Sequence, residues 1–216
     1  MVVCIVVCMI VGYLFGCIQT GYIVGRVNKI DIRDYGSGNS GTTNTLRTLG
    51  KTAAIITFLG DAAKGLVAVN LARYVIMPAF GVEGQAYLWL LTGFAVVLGH
   101  NFPFYLGFKG GKGIACTTGV ILAFHWQMAP LCIGLFIVVV LLTQYVSLGS
   151  ILLVSVFFIE LLLFGQTGHL PVADTYLPEI YVLGGIFTLM AIWRHRANIK
   201  RLLSGTENKL NLFKKK

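Results

Sequence analysis

The chain has 216 residues, of which 56% are hydrophobic and 12% charged, with a formal net charge of +9 and a mean hydropathy of +0.81. A water-soluble domain carries about 25% Asp, Glu, Lys and Arg, so a soluble globule is excluded by charge content and a disordered chain by apolar content. What remains is an all-α polytopic membrane protein, read as one domain over residues 1–216. Basic residues gathered beside apolar stretches read as topology signals, and no nucleic-acid partner is expected. Cys4, Cys8, Cys17, Cys116 and Cys132 lie in apolar stretches, with no CxxC pair. They are expected to be small buried hydrophobes, and neither a metal nor a cofactor is expected.

A membrane crossing needs roughly 17–25 apolar residues. The first runs from Val2 to about Val24. It lacks a basic leader and a small-residue cleavage site, so it reads as a retained span. The polar segment from Gly25 to Lys51 follows, then a second span at about Thr52–Leu71 that contains Asp61 and Lys64. A short third span covers about Tyr87–Leu98, and a glycine- and lysine-rich flank reaches Gly113. The fourth, fifth and sixth spans are expected at about Ile114–Ala129, Leu131–Thr143 and Leu148–Gly165, with Tyr145-Val146-Ser147 as a turn, and the seventh at about Ile180–Trp193. Five spans is the rival count. Either odd number puts the termini on opposite sides.

Charge then sets the orientation. Arg26, Lys29, Arg33, Arg47, Lys51, Lys109, Lys112, Arg194, Arg196, Lys200, Arg201, Lys209, Lys214, Lys215 and Lys216 all fall on one side. Arg73, beside Glu83, Asp174 and Glu179, is the only basic residue on the other. By the positive-inside rule the N-terminus is outside and the C-terminus cytoplasmic.

Three polar segments share that cytoplasmic face. The first reads Gly36-Ser37-Gly38-Asn39-Ser40-Gly41-Thr42-Thr43-Asn44-Thr45-Leu46-Arg47. Its glycines allow positive φ and inward-turned amides. Thr42 or Thr43 is expected to cap a short helix ending at Gly50, with Asn44 and Arg47 on one face. The second segment is Lys109-Gly110-Gly111-Lys112-Gly113, leading into the fourth span. Free amides, a helix N-terminus and an ammonium make an anion site. A Walker A loop is ruled out, because Leu106 and Gly113 stand where glycine and Ser or Thr are required. Glycine on both sides of a lysine implies that the backbone approaches something closely. The third segment, Arg194 to Glu207, is an amphipathic basic stretch. His195 and Asn198 lie three apart, and Gly205 is a helix stop. A histidine amid such basic neighbours is expected to stay neutral until an anion arrives. Together the segments imply a ligand carrying more than one phosphate.

The three segments resemble the signature motifs of the PlsY-type membrane glycerol-3-phosphate acyltransferases, which use acyl phosphate as donor. Ser37-Gly38-Asn39, Gly41, Asn44 and Arg47 match the first motif, and Lys109-Gly110-Gly111-Lys112-Gly113 the second, introduced by Gly99-His100 and Phe102-Pro103. His195-Arg196, Asn198-Ile199, Arg201-Leu202, Gly205 and Glu207 match the third, and Asp61, Lys64 and Gly65 a further pattern in the second span. The likeness covers the whole chain. It departs where Ser40 stands for the usual proline, Thr42 for alanine and Cys116 for threonine.

The resemblance implies attack of the 1-hydroxyl of glycerol 3-phosphate on the carbonyl of a fatty acyl phosphate, giving lysophosphatidic acid and phosphate at the inner membrane of a bacterial cell. It implies a membrane-lipid environment and an upstream enzyme that makes acyl phosphate. It also implies that Ser37, Arg47, Lys112, His195 and Asn198 carry the chemistry. Gly38, Asn39, Gly41, Asn44, Lys109, Gly110, Gly111, Gly113, Arg196, Arg201 and Glu207 line the substrates, with Glu207 pairing to a nearby basic residue. The backbone around Gly38–Gly41 and Gly110–Gly113 is expected to donate N–H groups to the developing oxyanion. Two proton routes stay open, His195 as general base or the donor's own phosphate as acceptor, the second being favoured.

Asp61 and Lys64, one turn apart inside a span, read as a functional site or a mutual ion pair. Glu160 is expected to reach the headgroups. His169 and Asp174 imitate another acyltransferase spacing but fall on the opposite side. A transporter of organic anions and a lipid-binding structural protein are the rivals from other classes.

Overall fold

The structure, a computed structural model, describes residues 1–82 and 84–210. Glu83 and Lys214–Lys216, which entered the charge reading, lie outside the described residues. The described elements are all helical. The α-helices, in chain order, are α1 (Val2–Cys17), α2 (Thr20–Val27), α3 (Thr42–Leu49), α4 (Lys51–Leu71), α5 (Met77–Ala79), α6 (Ala86–Asn101), α7 (Ile114–His125), α8 (Ala129–Thr143), α9 (Val146–Gln166), α10 (Leu177–Arg194) and α11 (Arg196–Leu203), with a π-helical segment, Ala72–Ile76, joining α4 to α5.

Six helical stretches among the described residues are long and apolar enough to cross a membrane. One of them, Ile114–Thr143, joins the expected fourth and fifth spans over 30 residues. It is interrupted at His125, whose backbone is extended (φ −156°, ψ 92°), and by the turn Trp126–Met128. Its halves pack on different neighbours, α7 on α4 and α6, α8 on α9. The first stretch is also broken. Ile18 is extended between α1 and α2, which leaves the last carbonyls of α1 without helical partners.

The helices meet through small residues, as expected where lipid supplies no hydrophobic drive for association. A Cβ on Gly16 would lie 2.1 Å from Val96 O, and one on Gly99 2.1 Å from Tyr13 O, so α1 and α6 touch backbone to backbone. Gly119 does the same for α7 against α4, 1.9 Å from Ala62 O. Phe94 and Phe157 each meet Phe187 in the core, tilted at 5.8 Å and edge-to-face at 5.9 Å, while Val2, Val138, Leu142, Ile186 and Leu189 stay exposed on the outside of the bundle, where a bilayer would cover them.

Two expectations need correction here. Glu160 does not reach outward. It is 5% exposed, turned into the α8–α9 contact, where its Oε2 accepts from Cys132 Sγ at 3.0 Å; a hydropathy reading cannot tell which helix face a lone acid occupies. The turn expected at Tyr145-Val146-Ser147 lies at Gln144–Tyr145, because Val146 already begins α9.

Candidate active site

Met1, Tyr87, Tyr176, His125 and His169 gather at one end of the bundle, through the Tyr87–Tyr176 stack at 5.1 Å, the Tyr87–Met1 contact at 3.7 Å and the His125 Nε2–His169 O contact at 3.0 Å. His169 and its neighbour Asp174 therefore stand apart from the basic segments. At the other end the three polar segments converge on a cleft of about 530 Å³, within the range of small-molecule sites. Arg47, Lys112, Arg194, His195 and Arg201 line it, with Ser37 and Glu207. Phe58, Phe136, Val140 and Val146 form its apolar wall.

The first segment is a loop held by its own asparagines. Asn44 is 1% exposed. Its Oδ1 accepts from Ser37 N–H at 2.8 Å, and its Nδ2 donates to Ile32 O at 2.9 Å and Tyr35 O at 3.0 Å. Asn39 Oδ1 accepts from Gly41 N–H at 3.0 Å, and Asn39 Nδ2 donates to Gly110 O at 3.4 Å. Both amides thus shape the loop and are engaged within the protein. Gly41, not a threonine, is the N-cap of α3, and Thr42 Oγ1 is buried without a partner. The helix ends at Gly50 with φ 85°. Ser37 is exposed at the rim, and Arg47 extends from α3 to donate to Asn208 O at 3.1 Å.

The glycines of the second segment do admit a close approach, but to the protein itself. A Cβ on Gly111 would lie 1.9 Å from His100 Nε2 and one on Gly110 2.0 Å from His100 O, while Gly113 has φ 81° beside Val97. Small side chains would overpack this corner. The N–H groups of Gly110 and Gly111 donate to Asn101 O and His100 O at 3.2 and 3.0 Å. Those of Gly38 and Gly41 are likewise engaged, so the expected amide donors are not available at these four glycines. Free amides remain at the start of α7, where Ile114 and Ala115 line the cleft. Arg194, which the sequence reading gave no role, donates to Gly110 O and Gly111 O at 3.2 and 2.7 Å and lies 5.1 Å over Phe102. It fixes the strip that presents Lys112. Lys109 is exposed and does not line the cleft.

Lys112 Nζ donates to Asn198 Oδ1. Asn198 Nδ2 donates to Glu207 Oε1 at 2.6 Å, Ser147 Oγ to the same oxygen at 2.9 Å, and Arg201 Nε to Glu207 Oε2 at 2.7 Å. Glu207 is therefore fully engaged as an organiser of α11. Burial would raise its pKa, but hydrogen bonds from Asn198, Ser147 and Arg201 hold it below the usual carboxylate range. Burial lowers Lys112 to about 8, with Glu207 opposing and Arg201, Arg194 and Arg47 adding to the drop. His195 is 2% exposed, and its Nδ1 lies 2.8 Å from Ala191 O. That contact assigns the proton to Nδ1 and leaves Nε2 as acceptor. Burial first, then Lys112, lowers its pKa to about 4, so the ring is neutral. Arg196 points away, donating to Trp193 O at 3.2 Å and covering the Trp193 ring at 4.4 Å. It is not a cleft residue, because its place on α11 faces outward.

Ser147, Asn208 and Gln19 were missed as well. Each is an ordinary polar residue whose partners lie far along the chain, and no local pattern marks them.

The family described as glycerol-3-phosphate acyltransferase matches residues 6–205. Glycerol-3-phosphate acyltransferases are 44% identical in Alkaliphilus metalliredigens (94% of each chain covered) and 42% identical in Clostridioides difficile (95% of each). Crystal structures of PlsY, an integral membrane glycerol 3-phosphate acyltransferase, superpose well. The glycerol 3-phosphate form has a TM-score of 0.80 at 34% identity, covering 95% of this chain and 94% of that one. The lysophosphatidic acid form has a TM-score of 0.79 at 32% identity, with the same coverage.

Proposed function

The chain belongs to the glycerol-3-phosphate acyltransferase family, and from that premise we propose that its basic cleft moves a fatty acyl group from acyl phosphate to the 1-hydroxyl of glycerol 3-phosphate. It is an integral membrane enzyme that forms lysophosphatidic acid. The whole chain works as one domain in the inner membrane of a bacterial cell, crossing seven times with the N-terminus outside and the cleft on the cytoplasmic side. Arg26, Lys29, Arg33, Lys51 and Lys109 at the cleft end of the bundle, against Arg73 at the other, support that orientation. The break at His125 supports two crossings within Ile114–Thr143. The donor is supplied by an upstream enzyme that makes acyl phosphate.

One observation carries this reading: a single cleft has both a cationic wall and an apolar wall. Arg47, Lys112 and Arg201 hold the phosphates, the apolar wall takes the acyl chain, and Ser37 and His195 orient the acceptor. Asn198 aims the Lys112 ammonium. The acceptor oxygen attacks the acyl carbonyl carbon, the bond from that carbon to the phosphate oxygen breaks, and the hydroxyl proton passes to the departing phosphate. The low pKa of His195 makes it a poor base, and a mixed anhydride has a good leaving group. Amides at the start of α7 are placed to receive the developing oxyanion.

Purified protein in detergent is expected to release phosphate from palmitoyl phosphate only when glycerol 3-phosphate is present, with lysophosphatidic acid appearing in equal amount. Uptake of an organic anion into vesicles without acyl transfer would replace this reading with a transporter.

A further inference from the structure

At the inner wall of the cleft, where Asp61 and His100 reach its lining, lies a charged cluster that the proposed chemistry does not use. Polar atoms of Asp61, His100 and Cys116 come within 4.8 Å of one another, all buried. This spacing would suit a metal ion, but the ammonium of Lys64 already stands among them. Its Nζ is 2.9 Å from Asp61 Oδ1 and 2.8 Å from His100 Nδ1, and it donates to Gly16 O at 3.1 Å and Ile18 O at 2.6 Å. Those two carbonyls flank the break between α1 and α2. Lys64 thus supplies the donors that the end of α1 lacks, and the side chains of Lys64 and Asp61 are only 4% and 1% exposed.

From this cluster two branches reach the two substrate segments. In one, Gln19, at the same break and fully buried, donates through Nε2 to His100 O at 2.9 Å and accepts through Oε1 from Ser40 Oγ at 2.8 Å. Ser40 precedes Gly41, the N-cap of the helix that carries Arg47. In the other, His100 O accepts from Gly111 N–H at 3.0 Å, and the His100 ring fills the space beside the Gly111 Cα. Gly111 precedes Lys112.

We propose that Lys64, with Asp61 and His100, is a positioning residue that sets the Ser37–Gly41 loop and the Gly110–Gly113 strip relative to each other, and so fixes Arg47 and Lys112 across the cleft. Lys64 itself does not line the cleft. A buried ion pair is weak evidence of stabilisation by itself; what distinguishes this one is that its ammonium has two further acceptors at a helix break and that the two branches end inside the two cleft segments, at Ser40 and Gly111. This inference rests on the proposed function only for its kinetic consequence.

The test uses the full chain in detergent with Asp61→Asn and Lys64→Met combined, so that no buried charge is left alone. Hydrogen exchange in residues 36–41 and 109–113 is expected to accelerate together by about tenfold or more, beyond any change in helices away from the cleft, while the thermal midpoint falls as Gly16 O and Ile18 O lose their donor. In acyl transfer, kcat is expected to fall by about tenfold or more while the KM values move less. Ser40→Ala is expected to give a smaller version of the same change, non-additive with the pair. If the double variant does not fold, Gln19→Met, which cuts one branch and leaves the charges in place, is read by the same exchange measurement and should loosen residues 36–41. Unchanged exchange in both segments, or strictly additive effects, would overturn the proposal. A wild-type protein without acyl transfer would defeat the proposed function, and the exchange result would still decide this one.

Discussion

Lys112→Met is expected to lower kcat/KM by roughly two to four orders of magnitude, because each charge-assisted hydrogen bond to a phosphate contributes about 1.5–3 kcal/mol and an ammonium in this place can make two. Methionine keeps the unbranched stem, so the strip between Gly110 and Gly113 need not move. The chain of Lys112, Asn198, Glu207 and Arg201 loses only its first member. The loss should carry a pH signature. Burial lowers the Lys112 pKa to about 8, and the charged form binds phosphate. In the free enzyme kcat/KM should therefore decline as pH rises through about 8, and in kcat the limb should shift upward, since bound phosphate favours the ammonium. Lys112→Met should remove that limb. Near-normal kcat/KM in the variant would mean that the phosphates bind elsewhere.

His195→Ala is the second large effect, a loss of about a hundredfold or more. The ring is clamped by the Nδ1 contact to Ala191 O at 2.8 Å, so its Nε2 has a fixed direction. With a pKa of about 4 the ring is neutral at neutral pH, its one proton on Nδ1, and Nε2 has little affinity for a second. Its contribution is to accept a hydrogen bond and orient the hydroxyl, so added imidazole, which can shuttle protons but arrives unoriented, should not restore the rate. Restoration by imidazole would make His195 the general base and remove the need for proton transfer to the departing phosphate.

Much of the fold is legible in the sequence because long apolar runs allow few alternatives in a bilayer. The helix boundaries follow most of the expected spans closely, but the second continues helically to Ala79, the expected junction of the fourth and fifth between Ala129 and Leu131 falls earlier, at His125–Met128, and the break at Ile18 shows only in backbone geometry. In the cleft, Arg47, Lys112 and His195 can be picked out by residue type, since long cations beside glycines at the basic end of a membrane protein have few other uses. The asparagines mislead. Asn39 and Asn44 look like substrate ligands, yet their amides are engaged by backbone groups, including Gly110 O across the cleft, a pairing that no local pattern reveals. The glycines beside Lys112 imply a close approach, and at Gly111 the group that approaches is the His100 ring. Glu160 shows the same limit, because a single acid in an apolar run carries no periodicity to say which way it faces.

The account depends most on the three polar segments sharing one aqueous face. Single cysteines introduced at Ser37, Lys109 and Asn208, all exposed, can be labelled with a membrane-impermeant maleimide in right-side-out and inverted membranes, since the five native cysteines are buried. All three should react only from the cytoplasmic face, with glycerol 3-phosphate slowing the reaction at Ser37 and Asn208. Reaction of any one of them from the opposite face would contradict the shared cleft.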